Sequence, residues 1–474
     1  MSTDPPAAAT PVPRLVVDWQ QALDRVYGFT NWETRPSGTP HTFALERIER
    51  LLAALGNPHH DWPAVHIGGT NGKGSTCALV AGALEAAGYR VGLYSSPHLH
   101  TVRERVRVGQ TLITESEVIA WLNAHAALLD SLPGLTTFEA LTALAFDHFA
   151  ARDVDIAVVE VGLGGRLDTT RVVRPLVSVL TPIGLDHREI LGDTLRQIAS
   201  DKVGICVPGI PLVSAPQAPE ALAVLVAETR RLGCPFILVG RDATWSVRPT
   251  EPPTINITVG PPPHGDANHV RVAPTLAGPH QAVNAVVAAT TLVILRRAGW
   301  HLSDEAIATG LAQAQWPGRY ERWKTPGGAT LIVDGAHNPH GAAALVEALA
   351  ALDPADGYAF VLGFGGGKDV DGLLDALLPR AASVFAVRAD HPKALSADAV
   401  AERVRAQRPD VAVRACDTVI EAIDAALAAA GPGGVAVAAG SLFVAADARE
   451  AWLERLGTPV AERDAPRPPP PPAT

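Results

Sequence analysis

The stretch that decides the reading is "VHIGGTNGKGST", residues Val65 to Thr76. A phosphate loop has the form G-x-x-x-x-G-K followed at once by Ser or Thr, and it sets backbone N–H groups and a lysine around phosphates where a strand gives way to a helix. Here Ile67 stands where the first glycine belongs, and Gly74 separates Lys73 from Ser75. The run "AVHIGG" reads as a strand, and "STCALVAGALEAAG" as a helix closing at Gly88. Gly68, Gly69, Gly72 and Gly74 let the backbone approach a ligand with no Cβ in the way. An ordinary glycine-rich β-α turn is the rival. Strand, four glycines, lysine and hydroxyls in succession favour a phosphate cradle.

Outward from this loop, "YRVGLYSS", "DIAVVEVG", "VSVLTPI", "PLVSA" and "PFILVG" read as strands separated by helical stretches such as "APEALAVLVAETRRLG". The alternation predicts an α/β fold: a P-loop-type, mostly parallel, doubly wound sheet covered on both faces. From about residue 241 to 275 the texture turns to "TWSVRPTEPPTINITVGPPPHG", which predicts a small antiparallel addition. A helix over Gln281 to Ala298 follows, and the turn pair Pro317 and Gly318 in "QWPGRYE" marks a hinge. Beyond it, "TLIVDGA", "YAFVLGF", "SVFAVRA", "VAVRACD" and "GGVAVAAGS" each precede an Ala- and Leu-rich helical stretch, which predicts a smaller Rossmann-like α/β domain. The expected domains are 14–316 and 320–458, between Pro-rich tails at 1–13 and 465–474. The tails read as disordered; a polyproline ligand is the alternative for the second.

With 47% hydrophobic but only 5% aromatic residues, the core must be built from Ala, Val and Leu. A formal net charge of −10 argues against a nucleic-acid or anionic-membrane binder, which needs a broad basic surface. Cys77, Cys206, Cys234 and Cys416 form no C-x-x-C pair and read as buried reduced thiols. The N-terminus has no basic start followed by an apolar core, and the nearest thing to a membrane span, Ala425 to Gly440, is broken by "GPGG". A soluble cytoplasmic protein is expected.

The loop resembles that of the ATP-dependent amide ligases that include the Mur ligases and the folylpolyglutamate synthases, which reads G-T-N-G-K, and "GTNGKGS" is similar to the folate branch. The resemblance extends in order through "SSPHL", "RERVRV", "TTFEALTALAF", "EVGLGGRLDTT", "TPIGLDHREILGDTLRQIASDKVGI", "GPHQAVNA", "WPGRYE", "DGAHNPHG" and "GSLFV". It implies transfer of the γ-phosphoryl of ATP to a carboxylate and attack of L-glutamate on the acyl phosphate. The acceptor would be dihydropteroate, reduced folates or both, and the segment "HTFALERI" is similar to the bifunctional kind. A folylpolyglutamate synthase alone is the nearest alternative. A Mur-type cell-wall ligase would need a further N-terminal domain, and only about sixty residues precede the loop. From another class, a regulatory P-loop protein would bind nucleotide to change partners.

Glu160 ends the apolar strand "DIAVVEV", where a carboxylate faces the ligand crevice, so residue logic alone makes it a metal candidate. The other roles are what the resemblance implies. Ser96, Glu160, His187 and Lys202 would hold magnesium, two ions, with Lys202 converted by CO2 to an anionic carbamate. Apart from the resemblance, His187 reads as a structural hydrogen-bonder and Lys202 as a surface residue. "DKVGI" departs mildly from the family's "EKAGI" without touching the lysine. ATP would lie on Thr70, Asn71, Gly72, Lys73, Gly74, Ser75 and Thr76, its adenine and ribose held by Asn284, Arg319 and Asp334. Catalysis would fall to Lys73, Lys202, His187, Arg319 and His337, with Asn338 at the same cleft. The pterin would meet Thr42, Phe43, Ala44, Thr136, Phe138 and Asp168, although Phe138 also fits plain helix core. His391 and Ser441 are candidates for the incoming glutamate, with surface and capping roles as their alternatives. Partners would be small molecules only, and the chain a monomer.

Overall fold

A central strand that is buried on both faces reads as a near-continuous apolar run, and β1 (Ala64–Gly68) is buried along its whole length and apolar apart from one residue, His66. The computed structural model describes residues 15–31, 45–250, 252–260, 266–354, 356–460 and 463–464. Around β1 assemble β2 (Val91–Tyr94), β3 (Val106–Val108), β4 (Thr111–Leu112), β5 (Ile156–Glu160), β6 (Pro175–Leu180), β7 (Leu212–Ser214) and β8 (Phe236–Leu238). They form one 8-stranded sheet in the order β4-β3-β2-β5-β1-β6-β7-β8. The run from β2 to β8 is parallel, as expected, while β3 and β4 are antiparallel additions at one edge.

The helix Lys73–Ala86 leaves the phosphate loop and packs with Pro279–Arg297 and Asp304–Gln313 on one face of this sheet. The small antiparallel sheet of β9 (Ala243–Arg248), β10 (Thr254–Val259) and β11 (Asn268–Val272) contributes its apolar side to the same core. It contains a third strand that the sequence reading did not separate. On the opposite face Trp19–Gly28 and Thr137–Ala151 bury a second cluster around Phe146, Phe149 and Trp62.

Past the turn at Pro317 and Gly318, β12 (Glu321–Lys324), β13 (Thr330–Val333), β14 (Tyr358–Leu362), β15 (Ala381–Ala386), β16 (Ala412–Ala415) and β17 (Val435–Ala439) form a second sheet in the order β12-β13-β17-β14-β15-β16. Five of its strands are parallel and each feeds a helix, and antiparallel β12 is an unexpected edge. Because β17 inserts between β13 and β14, the loops after these strands open a crevice at their C-terminal ends, where a doubly wound sheet binds ligands. All four cysteines are free and buried. No helix among the described residues is long and apolar enough to cross a membrane.

Candidate functional site

The phosphate loop joins β1 to the helix Lys73–Ala86, whose N-cap Gly72 carries no side-chain hydrogen bond, so the first-turn N–H groups remain open to an anion. Thr70 anchors the loop: its N–H donates to Pro182 O at 3.0 Å and its hydroxyl to Gly184 O at 3.1 Å. Lys73 Nζ donates back to Thr70 O at 3.2 Å. Gly74, the residue that displaces the usual hydroxyl, lies against the hinge: a Cβ there would stand 2.6 Å from Trp316 Nε1. Packing against the indole therefore leaves no room for a side chain at this position. Residues Gly69 to Ser75 line a cavity of about 620 Å³, but Thr76 does not. Thr76 is fully buried within the helix, and its hydroxyl has no hydrogen bond among the described residues.

Glu160, at the C-terminal end of β5 as expected, is 4% exposed and accepts from Ser96 N at 3.1 Å, the one hydrogen bond it receives among the described residues. Burial pushes its carboxyl up, opposed by the charges of Lys73 and Arg319. Lys202 is 5% exposed, which overturns its surface alternative, and Nζ donates to Gly69 O at 2.8 Å. Burial, and then the charge of Lys73, bring its ammonium down to about 7. His187 sits at a left-handed φ of 51° at the start of the turn Arg188–Leu191, and burial followed by the charge of Lys368 lowers its pKa. These four residues line the same cavity. A buried carboxylate short of donors, a hydroxyl, an imidazole and an amine able to become a carbamate are donors that suit a hard divalent cation.

Asp186, to which the sequence reading assigns no role, stands at the centre of the cleft. Lys368 Nζ donates to its Oδ1 at 2.7 Å, Asn338 Nδ2 to its Oδ2 at 3.0 Å, and His337 Nε2 lies 3.6 Å away. Burial pushes its carboxyl up, but the His337 contact and the Lys368 ammonium hold it well below the usual carboxylate range. Asn71 and Asn338 exchange hydrogen bonds of 3.0 and 2.9 Å, tying the phosphate loop to the turn after β13. Arg319 lines the cavity just past the hinge. Asn284 lies beside the phosphate end, close against Gly72, with its amide donating to Gln281 at 2.9 Å. Asp334 lines the cavity while both its oxygens accept backbone N–H groups, from Tyr320 at 2.9 Å and Ala336 at 2.8 Å.

A second cavity, of about 410 Å³, opens on the other side of the same junction. Phe138 and Asp168 form its wall, and Phe138 lies so close on the backbone that a Cβ at Gly162 would stand 2.4 Å from its ring. Phe138 also packs on the core beneath. Thr136 does not line this cavity. It is the N-cap of Thr137–Ala151, in a reciprocal capping box with Glu139, and the neighbouring Thr137 takes the lining position. Thr42, Phe43 and Ala44 fall outside the described residues. From the second sheet come His391, stacked on Phe443 at 4.2 Å, and Ser441, which caps the helix Leu442–Arg455 through Phe443 N at 3.1 Å while facing the cavity. Lys368 and Lys393 add cationic charge that sequence reasoning missed, because nothing in "GGGKDV" or "DHPKAL" shows that two separate turns converge.

Both cavities are lined by Ser96, Asp186, His187, Arg319 and His337, so they meet at these residues. The family model of the Mur ligase middle domain matches residues 67–292, and that of the Mur ligase glutamate ligase domain matches residues 318–442. A Bacillus subtilis protein named dihydrofolate synthase/folylpolyglutamate synthase is 37% identical over 338 residues, 70% of this chain and 76% of the relative. A Haloferax volcanii protein named "Probable bifunctional folylpolyglutamate synthase/dihydropteroate synthase" is 36% identical over 93% of this chain, which spans only 51% of that relative's length. An Escherichia coli structure in complex with DHPP and ADP superposes with a TM-score of 0.80 at 29% identity, covering 94% of this chain and 100% of that one.

Proposed function

The chain belongs to the Mur ligase family, in the branch of the dihydrofolate synthases and folylpolyglutamate synthases, and from that premise we propose that it is an ATP-dependent amide ligase. It joins the amino group of L-glutamate to the carboxylate of dihydropteroate and to the γ-carboxylate of reduced folates. The observation that carries this reading is the junction of a cavity built on a phosphate loop with one walled by an aromatic ring and a carboxylate. A carboxylate oxygen is a poor leaving group, so the γ-phosphoryl of ATP must first pass to it. At the junction the two substrates come end to end, and positioning supplies most of the catalysis.

Lys73 and the loop N–H groups hold the phosphates, and Arg319 stands where charge develops on the transferring phosphoryl. Magnesium, two ions in this reading, would be held by Ser96, Glu160, His187 and carbamylated Lys202, and would neutralise phosphoryl charge. Phe138 offers a face for the flat pterin, and Asp168 an acceptor for its amino edge. Residues 14–316 thus carry ATP and pterin. Residues 320–458 bring glutamate to the acyl phosphate, with His391 and Ser441 as its contacts and His337 at the junction. The protein works as a cytoplasmic monomer on small molecules, with no nucleic acid or membrane as a partner.

The test is ADP release with Mg-ATP and glutamate, supplying dihydropteroate in one reaction and tetrahydrofolate in another, with mass detection of products. Turnover with both establishes the two activities, and turnover with one assigns a single role. ATP binding without pterin-dependent turnover sinks the folate reading and favours the nucleotide switch.

A further inference from the structure

His66 is a buried polar residue for which the reaction has no evident use. It stands in β1, 1% exposed, between Val159 of β5 and Ser178 of β6. A polar ring there destabilises the sheet unless it is hydrogen-bonded. Its Nε2 meets Thr170 Oγ1 at 2.8 Å, and Thr170 Oγ1 donates to Asp168 Oδ1 at 2.5 Å. A hydroxyl has one proton. With that proton committed to Asp168, the Thr170 oxygen can only accept from the ring, so Nε2 carries the hydrogen. The ring is neutral, because burial pushes it down to about 3. Thr170 N adds a bond of 2.9 Å to the same carboxylate oxygen, and Leu163 N one of 2.9 Å to the other.

We infer that His66 is a positioning residue for the pterin subsite: by donating to Thr170 it keeps the Thr170 proton on Asp168, and so holds that carboxylate as an acceptor turned toward the donor edge of the substrate. The inference rests on the reading of the aromatic-walled cavity as the pterin site. It also separates from simple damage to the strand, because His66 is close in sequence to the phosphate loop and, among the described residues, reaches the pterin wall through Thr170. A disturbed β1 would weaken nucleotide binding first.

The experiment is steady-state kinetics on the full chain with dihydropteroate and Mg-ATP for His66→Met, which cannot donate, and His66→Gln, whose amide can. Loss of one relayed hydrogen bond should raise the dihydropteroate KM of His66→Met about fivefold to tenfold, with kcat and the ATP KM within about twofold of the parent. His66→Gln should recover most of the loss. Thr170→Val, which cuts the relay without touching β1, should reproduce His66→Met, and it remains informative if the strand variant does not fold. An ATP KM that rises in step with the dihydropteroate KM overturns the relay, as does no change in either variant. Parent enzyme that shows no dihydropteroate-dependent turnover overturns the site reading and the relay together.

Discussion

Lys202 is the single side chain of which the proposed chemistry asks most, a change from cation to anionic carbamate. Its amine is held in a buried pocket beside Lys73, and its pKa falls to about 7. A neutral amine attacks CO2, whereas an ammonium does not, so carbamylation should rise as pH passes upward through about 7. Intact-protein mass spectrometry with and without bicarbonate should show the gain of one CO2, absent in Lys202→Met, and that variant should lose kcat by about a hundredfold or more. The same shift has a stability sign. The folded pKa lies below the ordinary lysine value, so between about 7 and 10.5 the unfolded chain binds more protons and stability rises with pH. In bicarbonate-free buffer Lys202→Met should therefore melt above the parent near neutrality, by a margin that shrinks as the pH is raised; a margin independent of pH would contradict the burial argument. The lysine was legible in the motif "DKVGI", but its burial was not, because a helix in sequence does not reveal which of its faces meets the loop after β1. The surroundings of Thr136 and Thr76 were hidden for the same reason: hydroxyls in binding motifs are also cap and core residues, and only the register of the helix tells which.

Elements were more legible than contacts. The parallel strands and their helices follow from apolar runs and glycine stops, and each appears where the pattern put it. What escaped were β3, β4 and β12, antiparallel edges of 3, 2 and 4 residues whose polar and charged letters break the apolar runs that mark β7 and β8. The loop itself carries a consequence that its letters alone could not show. Gly74 departs from the ordinary phosphate-loop pattern because Trp316 of the hinge occupies the space where a side chain would go, and Arg107 in turn lies 5.2 Å over that indole. Gly74→Ala must push the indole or the loop aside, at a cost of about 1–3 kcal/mol, and should raise the ATP KM about tenfold. Combining it with Trp316→Ala, which empties that space, should recover part of the affinity. A double variant in which the two losses simply add would mean that Gly74 serves the ligand and not the hinge.

At the scale of the whole molecule, two sheets face each other across a cleft, and a few polar contacts cross it. Asp186 gathers Lys368 and Asn338 from the second sheet, and Asn71 reaches Asn338 from the phosphate loop. Asp186→Ala strands a part-buried Lys368 ammonium and removes one arm of that bridge, so the ligand-free protein should become more extended in small-angle X-ray scattering, and the ATP KM should rise about tenfold or more. Unchanged scattering would show that the remaining contacts suffice to hold the cleft. None of this geometry was readable from the chain, since the partners are separated by 182 residues for Lys368 and 152 for Asn338. What was readable is the order of motifs that the cleft assembles. The most direct test of the central claim, that ATP and a pterin carboxylate react where the two cavities meet, is isotope transfer from dihydropteroate carrying 18O in both carboxylate oxygens. An acyl phosphate requires one labelled oxygen to leave with inorganic phosphate and the other to stay in the amide, in step with ADP release. Unlabelled phosphate would mean that water attacks the nucleotide independently of the carboxylate, and would contradict the account.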